Sequence, residues 1–272
     1  MEVKGFEVEG VIKVDNVRVY GLDESIIASG YPMQIETYDM DKYLCCDGTY
    51  DGLVTDKDMK RAKHLGNATP GSGHDCFAKG ITVQFDLQVP EYIWRQLDRY
   101  HFIDYVSSQS KMHRILKMDL NEACNKYVKT ETIQQLNSLI DAYNNFDYFL
   151  ELIRTEKDVE EGKCIKYSTG GGNPCECDGW VEEEIIRFKV LDDKILYNTF
   201  RGDFEPIELT KENLFNMIIA NTPSGLMLTA RMTTNYLQLK SIVNQRSNHK
   251  MQEWRLLCDY FKTLPMFDLV CK

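Results

Sequence analysis

The chain has 272 residues, 43% of them hydrophobic and 27% charged, which suits one large domain or one domain carrying a substantial insertion. A formal net charge of −10 argues against binding a nucleic-acid polymer, whose phosphates demand a basic face. It still permits a small anion held by a local cluster of arginines.

The N-terminal Met-Glu-Val-Lys-Gly has neither the basic region nor the apolar stretch of a signal peptide. No apolar run along the chain nears the roughly 20 residues that a membrane helix needs. Nine unevenly spread cysteines do not read as a disulfide framework, so a cytoplasmic protein is expected. Residues 1–38 alternate weakly through Phe6, Val8, Val11, Val14, Val17 and Val19, predicting short strands and turns. Residues 39–56, with Asp47-Gly48 and Asp51-Gly52, read as a surface loop. A helix is predicted over 56–66, capped by an aspartate and stopped by Gly66. A Gly/Pro/Ser loop then leads to His74-Asp75.

Apolar Ile81, Val83, Phe85 and Leu87 alternate with polar Thr82, Gln84 and Asp86, as in a strand buried on one face. Pro90 and Glu91 suit the first turn of a helix, predicted to run to about His101 with Arg95 and Arg99 on one face and Gln96 beside them. Two arginines at that spacing repel unless an anion or a carboxylate lies between them. The hydroxyl-rich segment Ser107-Ser108-Gln109-Ser110-Lys111 follows, and the whole stretch reads either as an anion site or as a helix pairing with carboxylates such as Asp98 and Asp104.

Helices are predicted over 118–145 and from Tyr148 to about Thr155, then a β-rich insertion over 156–210 with strand-like runs at 181–191 and 194–200. Helical signal returns at 211–221 and strongly at 226–246, with Asn235, Leu239, Ile242 and Arg246 on one face. Met251, Trp254, Cys258 and Phe261 form a last apolar stripe. Cys164, Cys175 and Cys177 are candidate zinc ligands, but their spacing is weaker than a repeated Cys-x-x-Cys and reads more readily as free thiols. The run Gly170–Gly172 lacks the Lys-Ser/Thr of a phosphate loop.

The ordered set Thr69-Pro70…His74, a strand to Val89, Pro90, Arg95-Gln96-Leu-Asp-Arg99-Tyr100-His101, a serine-rich segment to Lys111, and then Asn235, Arg246, His249 and Glu253 resembles the flavin-dependent thymidylate synthases (ThyX). The resemblance spans roughly residues 60–145 and 211–260. It implies an α/β (α+β) fold, an antiparallel or mixed sheet flanked by helices, forming a single catalytic domain over 1–272 with the insertion inside it. It also implies a homotetramer with sites shared between subunits, FAD as cofactor, dUMP as substrate, and NADPH and methylenetetrahydrofolate as co-substrates. Carried over by position, Arg246 is the catalytic arginine at the pyrimidine. Arg95, Gln96, Ser108, Gln109, Ser110 and Lys111 would contact the nucleotide; His74, Arg99, His101, Asn235, Ser241 and His249 would contact the flavin. The chain departs from the family at Tyr100, where a histidine is usual, at His101 and Lys111, where arginines are usual, and at Ser107 and Ile219. Those departures raise a second outcome, a different C5 modification such as hydroxymethylation of dUMP or dCMP; the Cys-bearing insertion raises a third, a non-catalytic nucleotide-binding or assembly protein in which the insertion binds zinc or a partner.

Overall fold

A computed structural model of the chain describes residues 1–35, 54–69, 72–155, 164–166, 187–191, 194–198 and 207–271. They fall into two units, Met1–Ser110 with Met227–Lys272, and Lys111–Leu226.

The first unit opens with β1 (Glu2–Val3), β2 (Phe6–Val8) and β3 (Ile12–Tyr20). Strand β3 buries Ile12, Val14, Val17 and Val19. The parity of that series changes at a bulge, where Asn16 takes a φ of 49° and one extra residue re-aims the side chains beyond it. A helix, α1 (Leu22–Ala28), stands in the stretch expected to hold only strands and turns. Gly21, at φ 68°, turns the chain into it, and Leu22, Ile26 and Ile27 are buried. The predicted helix α2 spans Asp56–Gly66, but its cap is Thr55 rather than an aspartate. The Thr55 hydroxyl accepts the Asp58 N–H at 3.3 Å while the Asp58 carboxylate accepts the Thr55 N–H at 3.0 Å, a reciprocal capping box. The helix ends at Gly66, as predicted. A Cβ there would strike the Leu269 carbonyl oxygen, so glycine is needed for close approach of two backbones.

Strand β4 (Thr82–Pro90) buries Val83, Phe85, Leu87 and Val89 on one face, as the alternation predicts. Helix α3 (Glu91–Leu97) follows at once, and β5 spans Ile103–Ser108. The helix is shorter than expected, because the Tyr100 N–H bonds to the Leu97 carbonyl at 2.9 Å and the chain turns to bury Ile103. Arg99 and His101 therefore lie in a turn, and Arg99 does not share a helical face with Arg95. Ser107 and Ser108 end a strand instead of forming a loop.

In the second unit α4 (Lys111–Arg114) and α5 (Leu120–Ala123) precede α6 (Thr130–Asn144) and α7 (Phe146–Thr155). The helix expected over 118–145 is thus broken: Asn125 is buried, and its N–H is taken by the Gly225 carbonyl at 2.8 Å instead of a helical partner. Strands β6 (Cys164–Lys166), β7 (Arg187–Leu191), β8 (Lys194–Asn198) and β9 (Ile207–Glu208) form a four-stranded antiparallel sheet in that order. Helix α8 (Lys211–Asn221) is capped by the Thr210 hydroxyl. All but the last residues of the loop expected at 39–56, the run Gly170–Gly172, and most of the cysteines beside them lie outside the described residues.

Returning to the first unit, β10 (Met227–Asn235) corrects the helix expected over 226–246. It pairs antiparallel with β4 along its full length and with β5 on its other edge, so two ladders override the helix-forming Met, Leu and Ala residues in it. The sheet order is β1-β3-β4-β10-β5, with β2 on β3. Asn235 is at once the last strand residue, paired with Thr82, and the N-cap of α9 (Tyr236–Arg246), its side chain accepting the Gln238 N–H at 2.9 Å. With no loop between strand and helix, α9 is aimed rigidly from the sheet. Helix α10 (Gln252–Phe261) buries Trp254, Leu257, Cys258 and Phe261, the predicted stripe. Phe261 meets Phe85 edge-on with ring centroids 5.9 Å apart, and each such buried side chain stabilises the sheet–helix core by about 1.5–3 kcal/mol. The fold is α/β, an antiparallel sheet flanked by helices, as expected. Among the described residues no helix is long and apolar enough to cross a membrane.

Candidate functional site

Helix α9 carries two cations into different surroundings. Lys240 is buried at 7% exposure. Its ammonium donates to Asp75 Oδ2 at 2.6 Å and to the Gly66 carbonyl at 2.7 Å, so it ties α9 to the end of α2 and to the turn that bears His74. This pair forms one wall of a pocket of about 500 Å³ between that turn and α9, whose other lining residues include Gly73, Cys76, Lys79, Ser241, Asn244 and Gln245. Its lining residues are mostly of polar type, Leu237 excepted, yet the surface they present to the pocket is mostly apolar.

Arg246, at the end of the same helix, has no ion pair among the described residues. Its Nε donates to the Tyr100 hydroxyl at 2.8 Å and an Nη lies 3.5 Å from Gln96 Oε1. The guanidinium sits 4.8 Å from the Trp254 ring centroid and 5.8 Å from that of Tyr100, within the range of cation–π attraction. Around it the polar atoms interlock. Trp254 Nε1 donates to Gln96 Oε1 at 2.9 Å, and Gln96 Nε2 donates to Met251 Sδ at 3.1 Å. The Tyr100 hydroxyl in turn donates to Gln245 Oε1 at 3.1 Å, and Gln245 Nε2 to Ser241 Oγ at 3.1 Å. Behind Gln96, the Tyr92 hydroxyl donates to the buried carboxylate of Glu253. A cation held by neutral acceptors and ring faces keeps its charge for a carbonyl or an anion brought to it.

His249 closes the cluster. Its Nδ1 accepts the Met251 N–H at 3.2 Å, which assigns the ring proton to Nε2. Burial, and then the neighbouring Arg246 and Arg255 charges, hold its pKa below the ordinary histidine value, so the neutral ring is favoured.

The remaining predicted residues are distributed as follows. His74 is exposed, between the pocket residues Gly73 and Asp75. Ser241 lines the pocket and Asn235 caps its helix. Arg95 is exposed and pairs with Glu91 at 3.0 Å, while Arg99 and His101 are exposed in the turn after α3. Ser108 pairs with Ala230 on the sheet edge; Gln109 extends that edge, its N–H donating to the Thr229 carbonyl and its Oε1 accepting the Thr229 N–H. Ser110 ends this part of the first unit, and Lys111 opens α4 in the second. The structure thus gathers Gln96, Arg246 and His249 with Tyr100 and Trp254, and links them through Gln245 to the pocket holding Ser241. Of the candidate zinc ligands, Cys175 and Cys177 lie outside the described residues, and no group of three His, Cys, Asp or Glu side chains suited to a metal ion occurs among the described ones.

Sequence reasoning missed Lys240, Asp75 and Gln245. Lys240 had a legible signal: with Tyr236, Leu239 and Val243 it occupies the apolar face of its helix, where an ionisable side chain must find a partner.

No protein-family model and no curated sequence matches the chain. Solved structures do. A crystal structure of the flavin-dependent thymidylate synthase ThyX from Helicobacter pylori, complexed with FAD and dUMP, is similar with a TM-score of 0.51 at 13% identity, over 95% of this chain and 99% of that one. A second structure of the Helicobacter pylori ThyX with FAD and dUMP gives 0.52 at 12% identity, over 94% and 98%. At such identities the likeness establishes a shared, divergent fold.

Proposed function

We propose that this chain is a flavin-dependent enzyme that methylates C5 of a deoxyuridine nucleotide, converting dUMP to dTMP with methylenetetrahydrofolate as one-carbon donor and NADPH as reductant. The observation that carries this reading is Arg246, a guanidinium without a carboxylate partner among the described residues, set beside a pocket lined by hydrogen-bonding side chains in a ThyX-like fold. C5 of uracil is a weak nucleophile. A fixed cation near the pyrimidine carbonyls stabilises the negative charge that develops during attack, and the faces of Trp254 and Tyr100 hold that cation in place before substrate arrives.

The pocket residues fit part of a flavin nucleotide. Ser241, Asn244 and Gln245 offer hydrogen-bond partners, Lys79 a cation at the rim, and Gly73 leaves open space where a side chain would stand. His74, Arg99, His101, Asn235 and His249 complete the cofactor contacts in this reading. Gln96, Ser108, Gln109 and Ser110, with Arg95 and Lys111 as cations, serve the nucleotide. When bound, the isoalloxazine supplies the hydride chemistry, and the protein's task is orientation and electrostatics. The strand β5, which exposes Tyr105 and Val106 next to the exposed Phe102, gives a surface that further copies would cover in a cytoplasmic homotetramer with shared sites. The chain then works as one catalytic domain, with 156–210 as its insertion.

Purified protein should be yellow, take up FAD and bind dUMP; a colourless protein that does neither overturns the proposal. A second reading, a different C5 modification, is favoured by the hydroxyl of Tyr100, which occupies one donor of Arg246 where the family carries a histidine. Mass analysis of products from dUMP and dCMP separates the two, and thymidylate as sole product rejects the second.

A further inference from the structure

We infer that Tyr100 is a positioning residue that ties the orientation of Arg246 to the wall of the 500 Å³ pocket. The coupling to ligands rests on the reading above; the positioning itself does not. From the turn after α3, Tyr100 links two adjacent residues of α9 through one oxygen. Its hydroxyl accepts the Arg246 Nε proton at 2.8 Å and donates its own proton to Gln245 Oε1 at 3.1 Å. The Gln245 amide is then fixed at its other end by donation to Ser241 Oγ at 3.1 Å. Every member of this chain has a defined direction, because a phenol has one proton to give and the amide end that accepts it cannot also donate. Gln245 and Ser241 both line the pocket, whereas Arg246 does not.

A molecule entering the pocket that claims the Ser241 hydroxyl or the Gln245 amide must therefore disturb, or reinforce, the acceptor that holds Arg246 Nε. The other restraints on the guanidinium are less directional: two ring faces and a 3.5 Å contact to Gln96. Coupling of this kind is reciprocal. If the pocket ligand sharpens the Arg246 site, a ligand of Arg246 sharpens the pocket by the same factor.

Two measurements test this on the full chain. In the ligand-free protein, the Arg246 Nε–H resonance should be resolved and slow to exchange with water. Tyr100→Phe keeps the ring but removes the acceptor, and should speed that exchange at least about tenfold, the size expected when a hydrogen bond to a charged group is lost. Gln245→Leu should speed it less, and Gln245→Glu, which still accepts from the phenol, should restore slow exchange. Unchanged exchange in Tyr100→Phe overturns the positioning role. The second measurement titrates dUMP with and without saturating FAD. A coupling factor of about tenfold in the unsubstituted chain should collapse towards one in Tyr100→Phe and in Gln245→Leu; the same factor in all three overturns the coupling. Failure of both ligands to bind sinks the proposed function while the exchange measurement still decides the role of Tyr100.

Discussion

Lys240 and Arg246 sit six positions apart on one helix and differ in what surrounds them. Lys240 is buried and closed, its ammonium engaged by the Asp75 carboxylate and a backbone carbonyl. Arg246 is half-buried and open, held by a phenol, an amide oxygen and two aromatic faces. The first arrangement cancels charge and locks three elements together; the second preserves charge and fixes its direction. Stability should therefore depend on the first cation and chemistry on the second.

The largest expected effect follows from breaking the closed site. Lys240→Met leaves the largely buried Asp75 carboxylate and the Gly66 carbonyl without their donor, and should cost about 3–5 kcal/mol in denaturant unfolding. The double variant Lys240→Met/Asp75→Leu, which removes both charges, should recover much of that loss. If the single variant unfolds at the same denaturant midpoint as the parent, the two cations do not differ as argued. Arg246→Ala should behave oppositely, changing the unfolding midpoint little while lowering turnover or dUMP affinity about 10²–10³-fold. Arg246→Lys keeps the charge but loses the Nε donor and the stacked plane, so it should resemble the alanine variant more than the parent.

A smaller effect is expected at the far end of α2, whose last carbonyl anchors Lys240. Asp58 completes the capping box and pairs with Arg61 at 2.7 Å. Burial alone would raise its pKa, but the Thr55 hydroxyl and N–H and the Arg61 guanidinium outweigh it and hold the carboxyl below its ordinary value. Its contribution is therefore present above the ordinary carboxylate value and lost as pH falls through the lowered one. Asp58→Ala should cost about 2 kcal/mol at neutral pH, shrinking under acid, as followed by urea unfolding at several pH values. A cost that stays constant down to strongly acidic pH would show that the carboxylate charge is not its source.

These contrasts mark what was legible in the chain. The alternation through Val83, Phe85 and Leu87 named β4 and its buried face, because a half-buried strand imposes period two directly on sequence. The stripe through Trp254 and Phe261 named α10 in the same way. Strand β10 was not legible: Met227, Leu228 and Ala230 favour helix, and only pairing on both edges, with partners more than a hundred residues distant, makes it a strand. At the site, resemblance pointed to Arg246 and Gln96, yet the weight laid on Arg95 and Arg99 as one helical face fails because α3 ends at Leu97. The contacts that organise Arg246 join residues about 150 positions apart, and no local pattern encodes them.

The smallest effect tests the openness of Arg246 most directly, through a neighbour that feels its charge. His249 has its pKa lowered by burial first and by Arg246 next, with Arg255 and Lys250 adding to it and Glu253 opposing. Because the folded value lies below the unfolded one, the unfolded chain binds the proton more readily between them. Stability from this residue is complete above about pH 6.5, the ordinary histidine value, and is lost as pH falls towards the lowered one. The His249→Asn variant should therefore flatten the slope of unfolding free energy against pH in that window. Arg246→Ala removes the larger of the charges acting on the ring, so His249 should then titrate closer to its ordinary value when followed by NMR. A His249 titration that ignores Arg246→Ala would mean that the Arg246 charge is screened after all, and the contrast between the two cations would fail.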